Sequence, residues 1–142
     1  ERELSLTYTD HEALIAQSHY LVNLLPYFPE TNLSLNAASF AAMPDGAYLV
    51  SCGSGSVIDE GALADAVRSG KLGGAALDTY EWEPIRVDNP LIAAARAGAN
   101  IVLTPHTAAG SYTAAIADRE RAADYTNIVR HLRGEPVVHR LV

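Results

Sequence analysis

The sequence predicts an α/β fold in which helices alternate with the strands of a parallel sheet. Short apolar runs, each about the length of a strand, alternate with segments whose apolar residues recur at helical spacing. Capping residues and turns that contain glycine or proline separate these segments. Because the strands are continuous apolar runs, we expect helices to cover both faces of the sheet.

The first half of the chain contains two predicted strands, each preceded by a helix. In order, the elements are a short helix capped by Asp10, a strand over residues 20–25 (YLVNLL), a helix over residues 36–43 and a strand over residues 47–52 (AYLVSC). Pro26 and Pro29 end the first strand, because proline cannot donate to a sheet ladder. The turn signature PDG at residues 44–46 ends the second helix.

The second half continues this alternation. Its elements are a helix capped by Asp59 and closed by Gly70, a strand over residues 73–78 (GGAALD), a helix over residues 90–98, a strand over residues 100–105 (NIVLTP) and a long helix from about residue 111 to residue 132. Gly134 and Pro136 follow the last helix and end it.

The composition narrows the classes of partner and site. The chain has 142 residues, enough for one domain with a sizeable core. Its net charge of -7 argues against nucleic acid or an anionic membrane surface as a partner. No apolar run is long enough to span a membrane, so we expect a cytoplasmic protein. The single cysteine, Cys52, excludes an internal disulfide and a multi-cysteine zinc site, and we predict no metal site.

Ligands of open parallel sheets bind beyond the carboxyl ends of the strands. This rule selects the loops that follow Leu25, Val50, Leu77 and Leu103.

The first two of these loops contain small and turn-forming residues. The loop PYFPET (26–31) is typical of a proline-stiffened turn, although Thr31 and the backbone amides could also approach a phosphate. In the second loop, Gly53 and Gly55 match two positions of the dinucleotide fingerprint G-x-G-x-x-G, but Ile58 stands where the third glycine is needed. We therefore expect a crossing of small residues where a flat ligand could lie close to the backbone, and not a phosphate loop.

The last two loops contain a candidate acid–base pair. Asp78, Glu81 and Glu83 follow the third strand, and His106 follows the fourth. A carboxylate beside a histidine fixes the tautomer of the imidazole and raises its basicity. Glu81 is interpreted as a solvated loop residue. Glu83 is the better candidate, because the following Pro84 favours an extended, fixed conformation.

Together the four loops resemble the C-terminal part of the D-isomer-specific 2-hydroxyacid dehydrogenases. The resemblance depends on residues 24–36 (LLPYFPETNLSLN), 41–84 (from AAMPDG to EWEP), 89–91 (NPL) and 103–111 (LTPHTAAGS). It implies that residues 1–110 form the second half of a doubly wound, Rossmann-like NAD-binding domain. Residues 111–142 would then form a C-terminal helix and tail that return to the substrate domain.

The resemblance also implies hydride transfer between NAD or NADP and a small 2-hydroxy or 2-oxo acid. His106 would exchange a proton with the substrate oxygen, Glu83 would pair with His106, and Asp78 would hold the nicotinamide carboxamide. The residues that would line the cofactor are Pro26, Thr31, Cys52, Gly53, His106, Ala108 and Ala109. A homodimer formed through the cofactor domains is the implied assembly.

The chain departs from the family pattern at its start. It begins at Glu1, without a methionine, without the G-x-G-x-x-G turn and without the acidic residue that selects the adenosine ribose. We expect a fragment or processed product of a polypeptide roughly twice as long, or a chain completed by a partner. By itself it should bind NAD weakly or not at all.

The second departure is Ser54. The family usually reads V-N-T-A-R-G-G where this chain reads V-S-C-G-S-G from Val50 to Gly55, so Ser54 replaces the arginine that binds the substrate carboxylate. A serine hydroxyl cannot supply a bidentate cationic clamp. Losing one such electrostatic contact typically costs about a hundredfold or more in rate.

Three hypotheses stay open from the sequence. The first is an enzyme with altered substrate handling, in which Ser54 admits a substrate without the usual carboxylate or a cation elsewhere replaces the arginine. The second is a non-catalytic relative that binds a nucleotide or a protein partner, and the third is an inactive remnant. The retained His106, Glu83 and Asp78 favour the enzyme.

Overall fold

The computed structural model describes residues 7–107, 126, 129–130 and 132–136 of the chain. The chain divides into two compact units, Glu1–Ala108 and Ala109–Val142. In the second unit the amide of Arg133 donates to the carbonyls of Val129 and Arg130, and Gly134 follows with a φ of 69°. The predicted helix over residues 111–132 lies mostly outside the described residues.

Within residues 7–107, four α-helices alternate with four strands, in the predicted order. The elements are α1 (His11–Gln17), β1 (Tyr20–Asn23), α2 (Ala37–Ala42), β2 (Ala47–Ser51), α3 (Glu60–Arg68), β3 (Leu72–Leu77), α4 (Pro90–Arg96) and β4 (Ile101–Leu103). A short 3-10 turn, Gly55–Val57, lies between β2 and α3. No helix in the described part of the chain is long and apolar enough to cross a membrane.

Side-chain caps explain where the helices begin. The carboxylates of Asp10 and Asp59 accept first-turn amides of α1 and α3, as predicted, at 2.7 and 2.9 Å. The amide oxygens of Asn36 and Asn89 do the same for α2 and α4. The cap of α2 satisfies two, and each of the others one, of the backbone donors that a helix start leaves without an intrahelical partner.

The four strands form one parallel sheet in the order β1-β2-β3-β4, which confirms the predicted fold class. β1, β2 and β4 are shorter than predicted, whereas β3 has the predicted length but begins and ends one residue earlier. β1 ends at Asn23, two residues before the end of the predicted strand, because the Asn23 side chain accepts the amide of Leu25 at 3.1 Å. The carbonyl of Asn23 accepts the amides of Cys52 and Gly53, at 3.1 and 3.0 Å, and so joins the ends of β1 and β2.

The core lies between one face of the sheet and the helices. Leu21, Leu49 and Leu77 point into it from the strands, and Phe40 and Leu63 from α2 and α3. The expectation that both faces are covered is wrong for the described residues. On the opposite face Tyr20, Val22 and Val102 keep 73, 58 and 58% of their surface exposed. Right-handed crossovers between strands added in one direction place every connecting helix on the same side of the sheet.

Candidate active site

The loops that follow the four strands meet at one cavity of about 370 Å³. Six of the predicted site residues line it: Pro26, Cys52, Gly53, Ser54, Glu83 and His106. They come from four separate loops and meet because the carboxyl ends of parallel strands share one edge of the sheet. Ala108 and Ala109 lie outside the described residues.

Glu83 and His106 form a short, direct pair. The Nδ1 atom of His106 lies 2.6 Å from Oε2 of Glu83, and the two side chains are 60 and 35% exposed. This hydrogen bond raises the pKa of His106 above its ordinary value of 6.5 and holds the pKa of Glu83 below its usual range. The pair therefore favours a protonated imidazole beside an ionised carboxylate.

The backbone of His106 is held in an unusual conformation. Its φ is 54°, in the left-handed region that side chains other than glycine rarely adopt, and its amide donates to the carbonyl of Thr104 at 3.0 Å. Such outliers cluster at sites where the surrounding structure dictates the position of a side chain. The conformation directs the ring of His106 towards Glu83.

Asp78 fixes the loop that carries His106. The carboxylate is buried, and its Oδ1 accepts the hydroxyl of Thr104 at 2.5 Å and the amide of Thr107 at 2.8 Å. These contacts bracket His106 on both sides. Asp78 is not among the residues that line the cavity, and its role as a ligand of the nicotinamide stays a prediction.

Tyr80 holds Glu83 and was not identified from the sequence. Its amide donates to Oε1 of Glu83 at 3.1 Å, and its phenol donates to the carbonyl of Thr104 at 2.8 Å. Burial raises the pKa of the phenol, which keeps it a donor. One buried residue thus contacts both loops of the acid–base pair. No local pattern marks it, since its partner Thr104 is 24 residues away in sequence.

The two glycines of the loop after β2 are required by packing against protein. A Cβ atom on Gly53 would lie 2.6 Å from the carbonyl oxygen of Leu25, and one on Gly55 would lie 1.9 Å from the carbonyl carbon of Tyr80. That a flat ligand also lies against this loop stays a prediction, and both glycines line the cavity. Neighbouring backbone occupies the space, because the loops after β1 and β3 cross there.

Ser54 lies at the edge of this crossing, in the wall of the cavity. Its amide donates to the carbonyl of Leu25 at 2.8 Å, and its Oγ lies 3.0 Å from the Oγ of Ser56. Among the residues that the structure describes, no lysine or arginine lines the cavity. The groups that contact Ser54 are thus a neutral hydroxyl and backbone atoms, and the Glu83–His106 pair lines the same cavity.

Thr31 and Cys52 differ in their relation to the cavity. The hydroxyl of Thr31 accepts the amide of Phe28 at 2.8 Å and lies 2.9 Å from the carbonyl of Pro26, so it closes its own loop and does not line the cavity. Cys52 is exposed and lines the cavity beside Gly53. The interpretation of residues 26–31 as a self-contained turn agrees with this geometry.

A second cavity, also of about 370 Å³, adjoins the pair. Its walls share Tyr80, Glu83 and His106 with the first cavity, and Pro84, Ile85 and Pro105 complete it. The Glu83–His106 pair therefore contacts one cavity with mixed polar and apolar walls and another whose walls are mostly apolar.

Comparisons with known proteins give a consistent result. The family model of the D-isomer specific 2-hydroxyacid dehydrogenase, NAD binding domain, matches residues 1–108. The chain is 33% identical over 135 residues to glyoxylate/hydroxypyruvate reductase B of Escherichia coli, an alignment that covers 95% of this chain and 40% of the relative.

Solved structures of similar fold carry bound dinucleotides. A D-isomer specific 2-hydroxyacid dehydrogenase of Xanthobacter autotrophicus, in complex with NADPH, matches 92% of this chain and 51% of its own, with 36% identity and a TM-score of 0.76. Another, of Lactobacillus delbrueckii in its NAD-complexed form, matches 96% of this chain and 44% of its own, with 26% identity and a TM-score of 0.73. The chain thus spans about half the length of these proteins or less.

Proposed function

Because the chain belongs to the D-isomer specific 2-hydroxyacid dehydrogenase family, we propose that it is part of an oxidoreductase acting on a small 2-hydroxy or 2-oxo acid. NAD or NADP would be its cofactor. In this proposal residues 1–110 contribute to the cofactor domain and residues 111–142 return to a substrate domain. A homodimer and a cytoplasmic location belong to the same proposal.

The observation that carries the proposal is the Glu83–His106 pair. Because Nδ1 of His106 lies 2.6 Å from Glu83, proton exchange with a substrate falls to Nε2. A protonated imidazole would donate to the oxygen of a 2-oxo acid during reduction, and the neutral ring would accept that proton back during oxidation. Glu83 stabilises the charged ring and fixes its tautomer.

The residues of the cavity fit a flat nicotinamide ring. Pro26, Cys52 and Gly53 contribute small or rigid groups to the lining of the cavity, which His106 also lines. When bound, the nicotinamide supplies or accepts the hydride. Asp78 lies at the end of β3 and would orient the carboxamide while also holding the segment from Thr104 to Thr107.

Ser54 changes how a substrate would be held. A hydroxyl can donate one hydrogen bond to a carboxylate or carbonyl but provides no charge. We infer weaker binding of a substrate carboxylate than an arginine would give, with the protonated His106 as the positive group among the described residues of the cavity. A substrate with a less charged group beside its carbonyl would lose less binding free energy from the replacement of the arginine by Ser54.

Turnover of 2-oxo acids by the full-length protein tests the proposal. We expect NADH- or NADPH-dependent reduction that is lost in His106→Gln, since glutamine cannot exchange the proton. The matched control is His19→Gln, an exposed histidine outside the cavity, which should turn over at the native rate. Native turnover in His106→Gln would refute the mechanism.

Ser54 also favours a second candidate, a relative that binds the nucleotide without turning it over. In that case NADH or NADPH binds to the full-length protein, no 2-oxo acid is reduced, and Ser54→Arg restores reduction. Reduction by the native protein would exclude this candidate.

A further inference from the structure

Glu60, the first residue of α3, connects three segments around the candidate site. Its Oε1 accepts the amide of Glu81 at 3.2 Å, and its Oε2 accepts Nδ2 of Asn89 at 2.7 Å. Asn89 is buried and at the same time caps α4 through Oδ1, which accepts the amide of Leu91 at 2.9 Å. Residues 81 and 89 bracket the stretch of loop that carries Glu83.

We propose that Glu60 is a positioning residue for the Glu83–His106 pair, acting by clamping the loop between β3 and α4. This inference rests on the proposed function, since it gives Glu60 a role in setting the geometry of the acid–base pair. Glu60 itself does not line the cavity that holds the pair.

Glu60 acts on Glu83 through the backbone of Tyr80 and Glu81. Glu60 holds the amide of Glu81, and the preceding amide, of Tyr80, donates to Oε1 of Glu83. This stretch also packs against Gly55, where there is no room for even a Cβ atom. The two contacts together keep the Tyr80 donor in place, and that donor keeps the carboxylate of Glu83 turned towards His106.

The position requires two acceptors, which explains a carboxylate there. Because Oδ1 of Asn89 is committed to the cap of α4, its side chain presents donor hydrogens to Glu60. A glutamine at residue 60 would accept one bond but place its own NH2 group against a second donor. Leaving such partly buried groups without partners is costly, so the loop would move.

The charged groups that act on Glu60 differ from those that act on His106. Burial raises the pKa of Glu60, and the nearby carboxylates of Glu81 and Asp59 act in the same direction, while its two hydrogen bonds oppose them. His106 is faced by Glu83 and Asp78. Glu60 is not among the groups that shift the pKa of His106, so we expect a substitution there to act through the geometry of Glu83.

A donor–acceptor swap tests the clamp. Glu60→Gln leaves two donors facing each other, and Asn89→Asp leaves two carboxylates facing each other but retains the cap of α4. In the double variant the Gln NH2 donates to the Asp carboxylate, while the Gln oxygen accepts the amide of Glu81, so both bonds return. The control is Glu12→Gln, an exposed carboxylate in the first turn of α1.

Two measurements are made on the full-length native protein and its variants. The first is an NMR titration of the His106 imidazole, and the second is kcat and KM for NADH and for a 2-oxo acid. In each single variant we expect the pKa of His106 to fall towards its ordinary value. We also expect kcat to fall on the order of tenfold to a hundredfold with little change in KM for NADH, because small displacements of a catalytic group are costly. The double variant and the control should match the native protein.

The outcomes separate the clamp from the proposed function. If both folded single variants retain the native pKa and kcat, or if the double variant folds without recovering them, the clamp is wrong while the acid–base pair stands. If one single variant does not fold, the other and the double variant decide by the same criterion. A native His106 that titrates at its ordinary pKa would overturn the pair itself, and the clamp with it.

Discussion

Three side chains would determine the chemistry of the proposed site: the imidazole of His106, the carboxylate of Glu83 and the hydroxyl of Ser54. The first two form a short hydrogen bond, which is the arrangement that the proposed proton exchange requires. The third lines the same cavity and contributes only a neutral hydroxyl. In the proposed function, proton transfer and substrate binding therefore depend on different residues, and each can be tested by its own substitution.

Restoring a cation should strengthen substrate binding. We expect Ser54→Arg to raise kcat/KM for 2-oxo acids by about a hundredfold, since one preorganised electrostatic contact has that effect. Ser69→Arg adds the same charge at an exposed position next to the end of α3 and should leave the ratio unchanged. The measurement is steady-state kinetics in the full-length protein. Equal values of kcat/KM for the native protein and Ser54→Arg would show that another cation already holds the substrate.

At the scale of elements, the loop between β2 and α3 is shaped by packing. Gly53 and Gly55 lie against the loops after β1 and β3, closer than any side chain would permit. The hydroxyl of Thr79 donates to the carbonyl of Gly53, which joins the loop after β3 to the loop after β2. These contacts bring Ser54 and Glu83 to one cavity.

A methyl group at this crossing should destabilise the fold. We expect Gly55→Ala to lower the free energy of unfolding by roughly 1–3 kcal/mol or more, because its Cβ would overlap the backbone of Tyr80. Gly61→Ala is the matched control. It lies in α3 with its nearest neighbour 3.4 Å away, and should stabilise by about 0.5–1 kcal/mol. Denaturant unfolding measures both, and an unaffected Gly55→Ala would contradict the packing argument.

The sequence predicted the elements better than their contacts. Asp10 and Asp59 could be identified as caps because their hydrogen bonds reach only three residues along the chain. The loops after the strands could be brought to one edge because parallel topology demands it. The roles of Tyr80 and Glu60 could not be predicted, since they depend on partners 21 to 29 residues away in sequence and on how the loops pack.

At the scale of the whole molecule, the described sheet has one covered and one exposed face. The apolar side chains on the exposed face, among them Tyr20 and Tyr48 with rings stacked 5.5 Å apart, lie opposite the packed core. The chain spans 40 to 51% of the length of the three relatives compared here. The first half of a dinucleotide domain, with its G-x-G-x-x-G turn, is needed to hold the pyrophosphate.

Binding of the nucleotide should therefore need the full-length protein. Trp82, the single tryptophan of this chain, is 63% exposed and adjoins Glu83, so its fluorescence reports on the site. We expect saturable quenching by NADH or NADPH in the full-length protein and little or none in residues 1–142 alone. Trp82→Phe is the control for the origin of the signal. Equal affinity in both proteins would contradict the division of the cofactor site between two halves.

The dependence of turnover on pH tests the acid–base pair most directly. Reduction needs a protonated His106, so its rate should fall as pH rises through the raised pKa, above 6.5, whereas oxidation needs the neutral ring and should rise through the same pKa. In Glu83→Gln, which removes the charged partner, both transitions should move to lower pH. The assignment of His106 and Glu83 as the acid–base pair would be contradicted if the two pH profiles showed no opposed transitions. It would also be contradicted if Glu83→Gln left the transitions at the native pH.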